Sequence, residues 1–179
     1  MDELDVCGCQ DEEDLDWHGL VHEAGHAIAA LENQVRFRRI ILYKKGAGPT
    51  FGDGLYCADE EVEMLDRDPT TWVPVNPAAS LQYLWAGALA EVELIGHASP
   101  NGDKADMATW HKGLRNRGTL SANEVHALFG RSVEDLFEHA EWRARVNTGR
   151  VERLARYLHS FARPHSVPYE DVVAFDSST

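Results

Sequence analysis

The stretch HEAGH, residues 22–26, constrains this chain more than any other, because it lies inside a strong helical pattern. Apolar residues recur around it at steps of three and four, which predicts one amphipathic helix from about Leu15 to Glu32. The stripe consists of Trp17, Val21, Ala24, Ile28 and Leu31. Residues four apart on a helix lie about 40° apart round its axis, so His22 and His26 should point the same way.

Two imidazole nitrogens placed like this can converge on one Zn²⁺ at about 2.0–2.1 Å. Glu23 follows the first histidine and can reach a water on the ion, from which it takes a proton as general base. This is the chemical reason for the H-E-x-x-H order. We therefore expect one Zn²⁺ per chain on His22 and His26, with Glu23 catalytic. Gly25 costs about 1 kcal/mol inside a helix, which predicts close approach of another backbone.

A catalytic zinc needs a third protein ligand and one open position. The residues alone leave several candidates, namely His97, His111, Glu91, Glu93, Asp103 and Asp106. His18 lies on the same face as His22, but about 12 Å along the axis from His26, so we expect it outside the ligand set. Two histidines and a carboxylate also suit Fe(II) or Mn(II), so the metal's identity stays open.

The segment after the first helix predicts a small β element. VRFRRIILYKK, residues 35–45, is rich in β-branched and aromatic residues and favours a strand. GAGPTFGDG turns the chain, and LYCA, residues 55–58, is typical of a short returning strand. The polar segment from Glu60 to Val75 is predicted to be a loop.

Helices are predicted for the rest of the chain. The second helix is capped by Asn76, has Pro77 at its first position and ends at Gly96. Further helices are expected over 103–117, 121–130 and 132–162, the last with a break or bend at 147–149. VPYEDVVAF, residues 167–175, predicts a turn and a last short helix. The expected fold class is mainly α (α+β).

Composition narrows the function classes. The 179 residues suit a single domain, expected over 15–179 after an acidic flexible tail over 1–14. A net charge of −13 argues against nucleic-acid and anionic-membrane partners. No signal peptide or membrane segment is expected. Three cysteines, Cys7, Cys9 and Cys57, fit a reducing compartment, so a cytoplasmic location is expected.

The chain resembles the FtsH-like zinc metalloprotease family in three segments. HEAGHAIAALE is similar to the family's zinc-binding helix, and RRIILYKKGAGPTFGDGLYCA to the strand, turn and strand after it. AGALAEVELIGHASPNGDKADMAT resembles the helix that leads to a G-x-x-x-D motif. The resemblance covers about 15–172 and implies a zincin-like helical domain with an HExxH helix and a small β-hairpin or sheet.

By this resemblance the third zinc ligand is Asp106, with Asp103 and then Glu91 as rivals. The resemblance also implies that Glu91 supports the site from behind the ligands. It implies that an extended substrate lies along a sheet edge, for which Arg39, Ile40, Ile41, Leu42 and Tyr43 are the candidates. The implied activity is metalloendopeptidase hydrolysis of peptide bonds.

The chain departs from the family in having no G-x-x-x-x-G-K-[ST] motif for ATP. We therefore expect ATP-independent cleavage of peptides or flexible protein chains, with a separate ATPase or adaptor as a possible partner. The oligomeric state does not carry over from the family. Two alternatives stay open: a non-proteolytic metal-binding module that binds or regulates a partner, and a metal-dependent enzyme acting on a small molecule.

Overall fold

The computed structural model describes residues 12–48, 50–51, 56–57, 59–65, 77–98, 106 and 132–178. Over these residues the protein is mainly helical with a small antiparallel sheet, which confirms the predicted class. The helices are α1 Glu12–Glu32, α2 Pro77–Ile95, α3 Val133–His159 and α4 Tyr169–Ser177. The strands are β1 Phe37–Leu42, β2 Thr50–Phe51, β3 Tyr56–Cys57, β4 Glu60–Met64 and β5 His165–Pro168.

Helix α1 lies at the centre of the molecule and packs against α2, α3 and β4. It begins at Glu12, three residues earlier than predicted, and ends at Glu32 as predicted. The side chain of Asn33 donates to Ala29 O at 2.8 Å, and Gln34, with φ of 56°, turns the chain out of the helix. Almost every residue from Leu20 to Ala30 is buried, so α1 presents more than one packed face.

Strand β1 lies in the middle of the three-stranded sheet, whose order is β4-β1-β5. It pairs antiparallel with β4 on one side and with β5 on the other. The prediction that Arg39–Tyr43 offers a substrate-binding edge is therefore wrong, because Arg39, Ile40, Ile41 and Leu42 have a neighbouring strand on both sides. The Tyr43 N–H, just beyond the strand, donates to Asp59 O at 2.8 Å.

Two strands of this sheet were missed in the sequence. The segment EEVEM was predicted as loop but forms β4, because its carboxylates find cationic or hydroxyl partners across the sheet. Arg39 Nε donates to Glu63 Oε2 at 2.5 Å, and Tyr43 OH donates to Glu61 Oε2 at 2.6 Å. The segment HSVP lies between the predicted end of the long helix and the predicted turn, where no strand was expected, and it forms β5. The predicted returning strand at LYCA is confirmed as β3, paired with β2.

The helix boundaries bear out some predictions and correct others. Helix α2 ends at Ile95, and Gly96 with φ of 94° turns the chain as predicted. Helix α3 runs unbroken through 147–149, so the predicted break is absent, and it ends at His159 rather than Ala162. The predicted helices at 103–117 and 121–130 lie outside the described residues except for Asp106, which is helical. None of the helices that the structure describes is both long and apolar enough to cross a bilayer.

Candidate metal centre

Two stripes of residues spaced by four face each other where α1 packs against α2. Helical residues four apart share a face, so each stripe presents three consecutive positions to the other helix. The stripe on α1 is His18, His22 and His26, and the stripe on α2 is Tyr83, Gly87 and Glu91. The contacts run in opposite directions along the two helices, with the last histidine beside the first α2 position.

His22 fits into a space that α2 leaves for it. A Cβ atom on Gly87 would lie 2.6 Å from the imidazole ring of His22, so no larger residue leaves this ring in place. The ring's Nδ1 lies 3.0 Å from Glu91 Oε1. A carboxylate accepts the Nδ1–H, which leaves Nε2 with its lone pair.

His26 is held in the same way by a backbone group. Its Nδ1–H donates to Tyr83 O at 2.7 Å, and because a carbonyl can only accept, Nε2 carries the lone pair here too. The two helices can come close enough for this contact because Gly25 has no side chain. A Cβ atom at position 25 would lie 2.5 Å from Ala86 O. The predicted close backbone approach at Gly25 is confirmed.

Asp106 brings a carboxylate oxygen to the two bare nitrogens. Its Oδ2 lies 3.3 Å from His22 Nε2 and 3.2 Å from His26 Nε2, and the two nitrogens lie 2.9 Å apart. Neither contact of this oxygen is aligned as a hydrogen bond, so the buried Oδ2 has no hydrogen-bond donor among the described residues. When both imidazoles are neutral, with their Nδ1–H groups donated to Glu91 and Tyr83, three lone-pair-bearing atoms meet in one small space.

This donor set fits a divalent metal. Lone pairs that face one another repel, and a cation between them is the simplest way to stabilise the arrangement. Ligand atoms of a tetrahedral zinc at 2.0–2.1 Å are about 3.3 Å apart, close to the three separations found here. The Nδ1 contacts with Glu91 and Tyr83 are of the kind that orient metal-binding imidazoles.

Glu23 lies beside these atoms on the face of α1 that meets β4. One of its carboxylate oxygens lies within 4.8 Å of the histidine ligand atoms. The backbone N–H of Val62 donates to Glu23 Oε2 at 2.8 Å. Burial raises the pKa of Glu23 against the opposing effect of His26 and His22. A raised carboxyl pKa suits a group that must accept a proton near neutral pH.

The pKa values of His22, His26 and Asp106 are shifted because these groups lie close together. Burial alone would lower the pKa of His22, but its contacts with Asp106 and Glu91 raise that pKa well above the usual value. The pKa of His26 is also raised, because the charge of Asp106 outweighs burial. Burial would raise the pKa of Asp106, but the two histidines hold it below its usual range.

The remaining candidates are placed differently. His18 is buried, with Nδ1 3.8 Å from Glu91 Oε2 and its ring centroid 4.9 Å from that of His97. Glu93 is exposed and pairs with Arg145 at 3.3 Å, away from the two nitrogens. Asp103, His111, Cys7 and Cys9 lie outside the described residues.

Sequence reasoning missed three groups that build the site: the Tyr83 carbonyl, Gly87 and the Val62 N–H. A signal existed for Gly87, because it is a helix-interior glycine like Gly25 and lies four residues before Glu91. Backbone groups such as the Tyr83 carbonyl and the Val62 N–H leave no trace in side-chain identity. Only the fold reveals them.

Searches of protein-family models and of curated proteins find no match to this chain.

Proposed function

We propose that this protein is a zinc-dependent metallopeptidase in which His22, His26 and Asp106 bind one Zn²⁺ and Glu23 is the general base. The observation that carries the proposal is the meeting of His22 Nε2, His26 Nε2 and Asp106 Oδ2 within 3.3 Å of one another. A buried site that only held a structural ion would not need an adjacent carboxylate. Glu23 is that carboxylate, and it is not required to complete the ligand set.

When bound, Zn²⁺ would make a water acidic and polarise the substrate carbonyl. The chain's own residues supply the rest of the chemistry. Glu91 and the Tyr83 carbonyl bind the Nδ1 side of the imidazoles, so that Nε2 of each ring is the nitrogen that would face the metal. Glu23 accepts the water's proton and passes it to the leaving amine, as a base with a raised pKa can do.

The substrate class follows from the sheet beside Glu23. Within the described part of the chain, β4 pairs with β1 alone, and its other edge faces Glu23. The Val62 N–H of this edge already has Glu23 as its acceptor, so an extended peptide would bind the remaining backbone groups of the edge, which require no particular side chain. We therefore propose peptides and flexible protein chains as substrates.

The resemblance of HEAGHAIAALE and of AGALAEVELIGHASPNGDKADMAT to the FtsH-like family supports the same proposal. The roles it implies fall on His22, His26, Glu23 and Asp106, which lie together. Folded substrates would need a separate ATPase or adaptor to deliver them. The odd number of cysteines supports a cytoplasmic location.

The test is to measure zinc content and cleavage of unstructured casein on the wild type and on Glu23→Gln. Glu152→Gln is the matched control, since Glu152 lies on the outer face of α3 and pairs only with Arg156 in the described contacts. We expect about one zinc per chain in all three proteins, and cleavage by the wild type and the control alone. Loss of a general base typically costs about 10²–10⁴-fold in rate.

Zinc in all three proteins with no cleavage by any would contradict the peptidase proposal and favour a binding role or a small-molecule substrate. Equal cleavage by Glu23→Gln and the wild type would exclude Glu23 as the base. A wild type without bound metal would overturn the metal centre itself.

A further inference from the structure

Strand β4 turns some of its backbone N–H groups away from its partner β1. Tyr43 N–H donates to Asp59 O at 2.8 Å, so these two residues form a hydrogen-bonded pair of the ladder. Bonded and non-bonded pairs alternate in an antiparallel ladder. The pair Ile40–Val62 lies three positions further on, so it is a non-bonded pair. The N–H of Val62 therefore faces the outer edge of the sheet.

This outward N–H does not meet solvent but donates to Glu23 Oε2 at 2.8 Å. The contact is one of two between α1 and β4 that recur with matching spacing along the helix and the strand. Four helical residues advance about 6 Å and two strand residues about 6.6 Å, so Gly19 and Glu23 can match Glu60 and Val62. Gly19 does lie against Glu60, because a Cβ on Gly19 would overlap the Glu60 carboxylate.

Glu60 holds β4 in this register. Its side chain is only 5% exposed and forms an ion pair with Arg163. Arg163 also donates to Asp59 O at 2.9 Å and lies 3.5 Å from Asp16 Oδ2 on α1. The chain after α3 thus ties the start of β4 to Asp16 on α1, about two helical turns before Glu23.

We propose that the Val62 N–H is the positioning group for Glu23 and that Glu60, seated on Gly19 and paired with Arg163, holds it there. This inference rests on the proposed peptidase function. Glu23 lies close enough to the histidine nitrogens to turn toward them. A charge-assisted bond to Oε2 keeps it beside the ligand set and leaves Oε1 to accept a proton.

The first test needs neither metal nor substrate. Amide hydrogen exchange is followed by NMR for Val62 in the metal-free wild type and in Glu23→Ala. An edge N–H without an acceptor exchanges rapidly, so we expect Val62 to exchange at least about tenfold faster in Glu23→Ala. The N–H of Glu61, which faces β1, should be unchanged and serves as the internal reference.

The second test is kinetic and uses two proline variants. Val62→Pro removes the outward N–H without removing a ladder bond, a position where an edge strand tolerates proline. Ser166→Pro is the matched control, because Ser166 faces outward on the opposite edge and Pro168 already lies two residues along. We expect kcat for Val62→Pro to fall about tenfold to a hundredfold, with KM and zinc content unchanged. Ser166→Pro should match the wild type.

The two tests separate the possible failures. Val62 exchange that is equally fast with and without the Glu23 side chain overturns the positioning contact, whatever the protein hydrolyses, and decides the matter even if Val62→Pro does not fold. An unchanged kcat in a folded Val62→Pro also overturns it. If the Val62 amide is protected but the wild type cleaves nothing, the proposed function is wrong. The contact with Glu23 would then exist without a role in catalysis.

Discussion

Two partly buried carboxylates near α1 have opposite surroundings. Glu32, in the last turn of α1, accepts from Gln82 Nε2 at 3.1 Å and from Arg143 Nε at 3.0 Å. Arg150 Nη1 lies 3.4 Å from its other oxygen. Two guanidinium groups and an amide thus satisfy the carboxylate, which ties α1 to α2 and α3. Glu32 is a structural residue.

Asp106, by contrast, turns a buried oxygen toward two imidazole nitrogens at 3.2 and 3.3 Å and receives no hydrogen bond on it from the described residues. Buried polar atoms without a donor are rare, and such an atom needs an explanation. The two carboxylates therefore differ in whether protein groups satisfy them, and this separates a structural residue from a candidate metal ligand. At Glu32 the protein supplies the positive charge, whereas at Asp106 we expect a metal to supply it.

The largest effect should follow from replacing Asp106. Asp106→Ala removes one of three donors, so we expect zinc affinity to fall more than about 100-fold, beyond the range seen when groups behind the ligands are changed. Competition with a chromogenic chelator measures the affinity. Unchanged zinc binding by Asp106→Ala would show that Asp106 is not a metal ligand and that it does not differ from Glu32 in this respect.

Glu32→Ala should show the reverse pattern. It leaves the partly buried Arg143 guanidinium without its carboxylate, while Arg150 keeps its pair with Asp176, and we expect this to cost about 2 kcal/mol after allowance for the exposure of both arginines. Urea denaturation of the metal-free protein measures this loss. Zinc affinity should stay at the wild-type value, and Glu152→Ala on an exposed pair should cost less than about 0.5 kcal/mol. Weakened zinc binding without a loss of stability would make Glu32 part of the site.

A smaller effect is expected at Glu91. Glu91→Gln keeps an acceptor for His22 Nδ1–H but loses the charge, so zinc affinity should fall about tenfold. Glu93→Gln, two residues along α2 and paired with Arg145 on the surface, is the control and should bind zinc like the wild type. Isothermal titration calorimetry in the presence of a competing chelator resolves the two. Equal affinities for both variants would mean that Glu91 does not orient His22.

The smallest effect should appear on changing the pH. Metal binding requires unprotonated imidazoles, and the pKa values of His22 and His26 are raised by their acidic neighbours. Protons therefore compete at a higher pH than for ordinary histidines. We expect zinc affinity to fall a few-fold from pH 8 to 7 and more steeply below. An affinity that stays flat down to pH 6 would contradict the raised pKa values.

The parts of this structure that could be predicted from the sequence are those that depend on residues close together along the chain. The period of three and four located α1, glycine marked the end of α2, and the H-E-x-x-H spacing placed His22 and His26 on one face. The glycine inside that helix correctly indicated close backbone contact. Each of these depends on residues within one helical turn or at one chain reversal.

The parts that could not be predicted depend on partners far along the chain. EEVEM has a loop-like composition and becomes a strand only because Arg39 and Arg163, distant in sequence, pair with its carboxylates. The family resemblance assigned the substrate edge to β1, and the sequence did not contradict this because the two neighbours of β1 come from segments without a strand pattern. The Val62 N–H carries no side-chain signal, so its contact with Glu23 is visible only once β4 is placed on α1.

The most direct measurement of the central claim is zinc-edge X-ray absorption on the wild-type protein loaded with one equivalent of zinc. We expect the zinc to be coordinated by two imidazole nitrogens and carboxylate oxygen at about 2.0–2.2 Å, with no sulfur. A shell without imidazole, or zinc that is lost on buffer exchange, would contradict the metal centre at His22, His26 and Asp106.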